Sequence, residues 1–285
     1  MAGILVTGGG GQLGNAFRKA APGSVVLGRD RLDITDRDKV LEAIAAARPA
    51  VVINAAAFTA VDRAESEPAA AYRINAVGAG LVAEAAASAG AQMVQVSTDY
   101  VYPGDKQGAY LETDETGPAS VYGKSKLEGE KAVLQADPGA LIVRTSWVFG
   151  DGSNFIRAIL KAAAGPSAKA GGLAVVDDQM GLPTYAPDLA AGLVGLVEAG
   201  ARGIYHLAGG GPPVTWAGLA EEAIRLAGLD VKVNPVATEQ YESGRPGPFA
   251  PRPRNSVLDC SKAASLSVTL RPWKNAVADY LGTDD

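Results

Sequence analysis

Short, continuous apolar runs alternate with Ala-rich segments of helical period through the first half of the chain. Runs without polar alternation predict strands covered on both faces, and they fall at Ile4–Thr7, Ser24–Leu27, Val51–Asn54, Gln92–Ser97 and Leu141–Thr145. Between them the pattern predicts helices at Gln12–Ala21, Asp36–Ala46, Ala69–Ala89 and Ser120–Gln135, with Asp36 as an N-cap and Pro49 closing its helix. Strand, helix and strand in succession imply parallel strands joined by crossover helices, so the first half reads as a doubly wound parallel α/β sheet. Past about Gly150 the alternation fades, and Gly and Pro gather in Gly165–Gly172, Gly209–Pro213 and Gly244–Pro253. The expected division is 1–150 as one domain and 151–285 as a smaller mixed α/β lobe. That lobe is given helices at Ser153–Ala164, Pro187–Glu198 and Thr215–Ala227, and strands at Leu173–Val176 and Gly203–His206. The stretch 187–206 is the part that would return to the first sheet.

Composition narrows the function. The 285 residues are 47% hydrophobic, enough for a sizeable core, and the formal charge is -5 with Lys and Arg scattered. A basic footprint for nucleic acid or an acidic membrane surface is lacking, so neither partner is expected. One cysteine, Cys260, and one histidine, His206, remove disulfide frameworks, Cys/His zinc sites and most His-based nucleophile triads. The first residues carry no basic segment of a secretory signal, and no run approaches the roughly 20 apolar residues of a membrane span. A cytoplasmic protein is expected, whose chemistry runs on Tyr, Lys, Ser, Thr, Asp or a cofactor.

Gly8-Gly9-Gly10-Gly11-Gln12-Leu13-Gly14 follows the first strand and opens the first helix. In that context Gly9-x-Gly11-x-x-Gly14 is a dinucleotide fingerprint: missing Cβ atoms let a pyrophosphate approach the backbone NH groups at the helix N-terminus. The sheet is therefore expected to be Rossmann-type and residues 1–150 its dinucleotide-binding domain. The second strand runs into Gly28-Arg29-Asp30-Arg31. Arg29 or Arg31 offers a bidentate partner for a 2′-phosphate and Asp30 a ligand for a free ribose, so NADPH is favoured and NADH stays open. Asp33 and Ile34 are expected near the adenine.

Two Tyr-x-x-x-Lys matches occur, and Pro103-Gly104 keeps Tyr102 and Lys106 from sharing a helix face. Tyr122 and Lys126 fall on a continuous helix, where residues four apart are neighbours. A phenol with a pKa near 10 becomes a better proton donor beside an ammonium that favours the phenolate. Ser97-Thr98 end the fourth strand at the carboxyl edge of the sheet, where ligands bind in open α/β folds. Hydroxyl, phenol and ammonium beside a dinucleotide pocket point to carbonyl/alcohol redox by hydride transfer.

These residues resemble the extended short-chain dehydrogenase/reductase family. The blocks Asn54–Glu67, Ser97–Val101, Val121–Glu130, Arg144–Val148, Asn154-Phe155, Asp178–Thr184 and Arg252–Ser256 resemble, within it, the dTDP-4-dehydrorhamnose reductases. The resemblance implies reduction of the C4 ketone of a dTDP-4-dehydro-sugar with NADPH or NADH. It implies Tyr122 as proton donor, Lys126 as its tuner and ribose ligand, and Thr98 as hydrogen-bond partner of the carbonyl. Gly8, Gly11, Gln12, Leu13 and Gly14 would meet the pyrophosphate, while Ala57, Phe58 and Thr59 would line the nicotinamide. For the sugar it points to Thr59, Val61, Thr98, Asp99, Tyr100 and Trp147, and for the nucleotide end to Gln179 and Arg252. Some members of the family form metal-bridged dimers through an acidic residue after the third glycine. Here Asn15-Ala16-Phe17 follows Gly14 instead, so the resemblance gives Mg²⁺ no support and no metal ligands are expected. Monomer and homodimer both stay open. Two other readings also stay open: a non-catalytic NADP-binding regulatory subunit, such as the similar β subunit of methionine adenosyltransferase, and a nucleotide-sugar epimerase or dehydratase.

Overall fold

The computed structural model describes residues 3–282. Its fold is α/β, centred on a six-stranded, Rossmann-type parallel sheet. The strands are β1 (Ile4–Thr7), β2 (Val25–Leu27), β3 (Val51–Asn54), β4 (Gln92–Thr98), β5 (Leu141–Thr145) and the strand Gly203–His206. In space they run Gly203–His206, β5, β4, β3, β1, β2, and every pairing is parallel. The chain steps outward from β1 to β2, then returns to lay β3 on the other side of β1. The strand order thus reverses beside β1, and the crevice at the carboxyl ends of β1 and β3 is where such sheets bind ligands.

The continuous apolar runs follow from burial on both faces. Ile4, Val6, Ile53 and Val143 pack with α1 (Gln12–Ala20) and the helix Ala186–Glu198, through Phe17, Leu189 and Leu193. Leu5, Val52, Met93 and Ile142 point the other way, into α2 (Arg37–Ala47) and the Ala-rich helix that precedes β4. Asp36 caps α2 by accepting from the Lys39 amide at 3.2 Å.

The helix expected over Ala69–Ala89 is present as one helical run from Pro68 to Ser88, with a π-helical turn inside it. The chain forms α3 (Val61–Ser66), α4 (Pro68–Tyr72), one π-helical stretch Arg73–Gly78 and then α5 (Ala79–Ser88). Pro68 occupies the first turn, where its missing N–H costs nothing. At the π turn the carbonyl of Asn75 presses on Gly129 of α6 (Val121–Ala136), where a side chain would collide with it. That tertiary contact accompanies the local change from α to π geometry within the Ala-rich helix.

Beyond β5, α7 (Phe155–Ala163) is capped by Asn154, which accepts from the Arg157 amide at 3.0 Å. Phe149, Ile156, Leu219 and Trp273 form a hydrophobic cluster of their own, and Val175, Ile224 and Val233 another. Part of the Gly165–Gly172 loop read from the sequence is a short helix, Pro166–Gly171, started by its proline and stopped at Gly172, which has φ of +79°. The strand Val233–Val236, which pairs in parallel with Leu173–Val176, and the helix Trp273–Leu281 carry no strong sequence signal. Among the described residues, no helix is long and apolar enough to cross a membrane.

Candidate active site

A cleft of about 670 Å³ opens over the carboxyl ends of β1, β3, β4 and β5. Behind it the strand ends are tied by a buried polar ladder: Thr7 donates to Asn54 Oδ1 at 2.5 Å, and Asn54 Nδ2 donates to Gln95 Oε1 at 2.8 Å. One wall is the glycine loop. Gly8 has φ of +74°, and a Cβ on it would fall 2.6 Å from the Ala55–Ala56 peptide; one on Gly14 would fall 2.6 Å from the Gly8 carbonyl oxygen. These two glycines are demanded by the chain itself. Gly10 is different, because no atom of the chain lies within 4 Å of where its Cβ would be. The open side of the loop and the uncapped N-terminus of α1 form a cradle of backbone donors with room for an anionic group, beside the buried, unpartnered acceptor Oε1 of Gln12. The donor set fits the pyrophosphate of a dinucleotide.

The opposite wall carries the reactive groups. Ser120 caps α6 by accepting from the Gly123 amide at 3.1 Å, which starts the helix one residue before Tyr122. Lys126 is buried and its Nζ donates to the Val96 carbonyl at 2.7 Å. Burial lowers its ammonium to about 8, opposed by the Glu130 carboxylate. Burial raises the Tyr122 phenol to about 12, against a hydrogen bond with Thr98 and with added repulsion from Asp99. In the chain by itself, then, the groups acting on the phenol are its burial, Thr98 and Asp99; the Lys126 ammonium, from which the sequence reading expected the tuning, gives one of its three hydrogens to Val96 and is not among them.

Thr98 donates to Asp99 Oδ1 at 2.9 Å, and Asp99 Oδ2 is buried with no partner. Burial pushes the Asp99 carboxyl up to about 6, against hydrogen bonds from Ser256 and Thr98. The rim is aromatic. Trp147 holds a left-handed backbone, φ +47°, and its ring stacks on Trp216 at 3.5 Å between centroids, with Gly181 against its other side. A bulky residue at positive φ is costly and persists only where its surroundings enforce it.

The cleft gathers Gly8, Gly11, Gln12, Leu13, Gly14, Ala57, Thr59, Val61, Thr98, Asp99, Tyr100, Tyr122, Lys126, Trp147 and Arg252. The other candidates lie outside its lining, Asp30 and Arg31 among them as exposed residues. Arg29 is three-quarters exposed and 3.7 Å from Asp33, whose carboxylate is held low by Thr35 hydrogen bonds and then by Arg29. Ile34 is core, packed on Gly78. Phe58 is buried under the Arg63 guanidinium, and both of its peptide groups are bound by the Asn75 side chain. Gln179 lines an adjoining cavity of about 390 Å³, which shares Trp216 and Arg252 with the cleft. It accepts from Trp216 Nε1 at 3.1 Å and donates to Thr238 at 2.9 Å. Arg252 is held by Asp62 at 2.8 Å. Asn75, Asp62 and Trp216 escaped the sequence reading. A lone Asn in an Ala-rich helix and a Trp beginning one were the available signals.

A family model described as the RmlD substrate binding domain matches residues 1–284. The chain belongs to the dTDP-4-dehydrorhamnose reductase family. It is similar to the protein of that name from Streptomyces griseus, 43% identical over 96% of this chain and 91% of the relative. Among solved structures it is similar to a dTDP-4-dehydrorhamnose reductase from Clostridium acetobutylicum, with a TM-score of 0.89 and 39% identity over 98% of both chains. It is also similar to that from Bacillus anthracis in complex with NADP, with a TM-score of 0.90 and 31% identity over 99% of both.

Proposed function

We propose that the chain is an NADPH- or NADH-dependent oxidoreductase that reduces the C4 ketone of dTDP-4-dehydro-L-rhamnose to the hydroxyl of dTDP-L-rhamnose. The observation that carries this reading is the convergence of the Thr98 hydroxyl, the Tyr122 phenol and the buried Lys126 ammonium beside the open glycine cradle. The bound nicotinamide supplies a hydride to the C4 carbon. Tyr122 delivers its phenolic proton to the carbonyl oxygen, so that hydride and proton together turn C=O into CH–OH. A phenol near 12 yields that proton only to an oxygen that is becoming an alkoxide, which suits a donor that acts as charge develops. Thr98 hydrogen-bonds the same oxygen, and Lys126 favours the phenolate left behind and holds the ribose.

In this reading residues 1–150, joined in the sheet by the strand within 187–206, hold the dinucleotide, and 151–285 supply the substrate lobe. Backbone amides of Gly8–Gly14 take the pyrophosphate. Arg29, Asp33 and Ile34 lie toward the adenosine end, and Ala57, Phe58 and Thr59 toward the nicotinamide. Thr59, Val61, Asp99, Tyr100 and Trp147 orient the sugar, while Arg252 and Gln179 lead its diphosphate and nucleoside into the adjoining cavity. The name and bound NADP of the Bacillus anthracis structure support NADP here. The net charge of -5 supports a protein without nucleic-acid partners; in this reading it acts on its sugar nucleotide in the cytoplasm, as a monomer or homodimer.

The experiment is oxidation of NADPH, and separately NADH, by purified protein given dTDP-4-dehydro-L-rhamnose generated in situ, with the product identified. dTDP-L-rhamnose is expected. Tight NADPH binding without turnover would replace this reading with that of a regulatory subunit.

A further inference from the structure

Glu130 lies one turn beyond Lys126 on α6 and is 2% exposed. Arg144 of β5 grips both of its oxygens, Nε to Oε1 at 2.9 Å and Nη2 to Oε2 at 2.6 Å, and Ser97 donates to Oε1 at 2.5 Å. The remaining guanidinium nitrogen, Nη1, donates to the Tyr102 hydroxyl at 2.6 Å, which also meets His206 Nε2 at 2.6 Å. Ser97 and Arg144 stand opposite each other in the β4–β5 register. The charges are therefore buried with their donors and acceptors filled, in an arrangement tied to one strand pairing.

Its position relative to the reactive groups is what matters. Tyr122, Lys126 and Glu130 recur every four residues along one side of α6. Each meets the end of β4 in turn: Tyr122 bonds with Thr98, Lys126 with the Val96 carbonyl and Glu130 with Ser97. Apolar residues of similar volume would fasten a helix to a strand at least as well, so helix packing alone does not account for a charge here. Charged groups on the other elements packed against α6 have partners of their own, as Glu130 has in Arg144, and none of them acts on Lys126. On α3, Glu65 accepts from the Val121 amide, Asp62 pairs with Arg252 and Arg63 with Glu67. Glu84 on α5 pairs with Arg37, Arg73 of the π turn acts on Asp33, and Asp99 and Tyr100 after β4 adjoin Tyr122 and Arg252. Glu130 is the carboxylate that acts on Lys126.

We propose that Glu130, fixed by Arg144 and Ser97, is a positioning residue that sets the register of α6 on β4 and keeps Lys126 in its ammonium form in the working enzyme. The inference rests on the reading of Tyr122 and Lys126 as the working pair. Glu130→Gln keeps the shape and removes the charge; since it leaves Arg144 unpaired, Glu130→Gln/Arg144→Met is made beside it so that one neutral variant folds. NADPH affinity is measured by fluorescence from pH 7 to 10, and kcat over the same range. In the parent, affinity is expected to weaken as Lys126 loses its proton above about pH 8. In the variants that break is expected about one pH unit lower, making affinity at pH 8 some 3- to 10-fold weaker than the parent's while the two converge toward pH 7. A folded variant that keeps the parent's break in both profiles overturns the proposal. Lys126→Met is the control for the underlying reading: its affinity should be low and flat with pH. Should it instead match the parent, the assignment of Lys126 to the cofactor has failed, and the role of Glu130 falls with it.

Discussion

Asp99→Asn should make the protein more stable at neutral pH while impairing it as an enzyme. The carboxyl is 3% exposed, one oxygen has no partner, and burial raises it to about 6 from an ordinary 3.8. Between these values the folded chain binds more protons than the unfolded one, so stability falls as pH rises through the window from about 4 to 6. Above it the ionised group costs about 3 kcal/mol, and below it the cost vanishes. An amide avoids the charge, but its unpartnered end still costs about 1 kcal/mol or more, so a net gain of roughly 1–2 kcal/mol is expected at pH 7.5. For a chain of this size that is about 2–8 °C in Tm. Urea unfolding of parent and variant at pH 7.5 and at the lowest pH where both stay folded is the assay. The variant's advantage should shrink at the lower pH, because only the parent's carboxyl titrates between the two conditions. An advantage that does not change with pH, or no advantage at all, would refute the reasoning. On the proposed reading the cost is offset when a sugar hydroxyl binds Asp99, which lines the cleft.

Tyr122→Phe should lower kcat by about 10² to 10⁴ and leave the NADPH dissociation constant within about twofold, since only proton transfer is removed; single-turnover kinetics and fluorescence titration separate the two. Arg29→Ala should weaken NADPH more than NADH, as its exposed guanidinium, paired with Asp33 only at 3.7 Å, can turn to meet a 2′-phosphate. Equal losses by calorimetry would remove Arg29 from that role. Gly14→Ala should abolish cofactor binding and cost at least about 2 kcal/mol of stability, because the new methyl meets backbone of the glycine loop rather than a movable side chain.

What could be read along the chain is what the chain decides locally. Leu5 and Val6 both read as buried because each faces its own helix layer, and that double burial makes β1 a continuous apolar run. Caps at Asp36 and Ser120 depend on amides three residues away, and the glycine loop, Thr98 and the Tyr122–Lys126 pair are each contained in one turn. What could not be read locally are contacts between distant segments. Nothing near Asn75 says that its carbonyl must fit against Gly129, yet that fit sits at a π turn within the Ala-rich helix, where the Asn75 amide reaches Phe58 and Ser125. Gln179 was placed with the nucleotide on the strength of its motif, and its partners Trp216 and Thr238 come from helices far along the chain. Phe58 shows the same limit from the other side. Its position was readable, but its ring turns beneath Arg63 and only its backbone faces the Asn75 clamp, a choice that depends on a helix following Pro68. The sequence therefore exposes the groups that do chemistry sooner than those that hold them in place, because a reactive pair needs one helix face whereas its support needs the whole sheet.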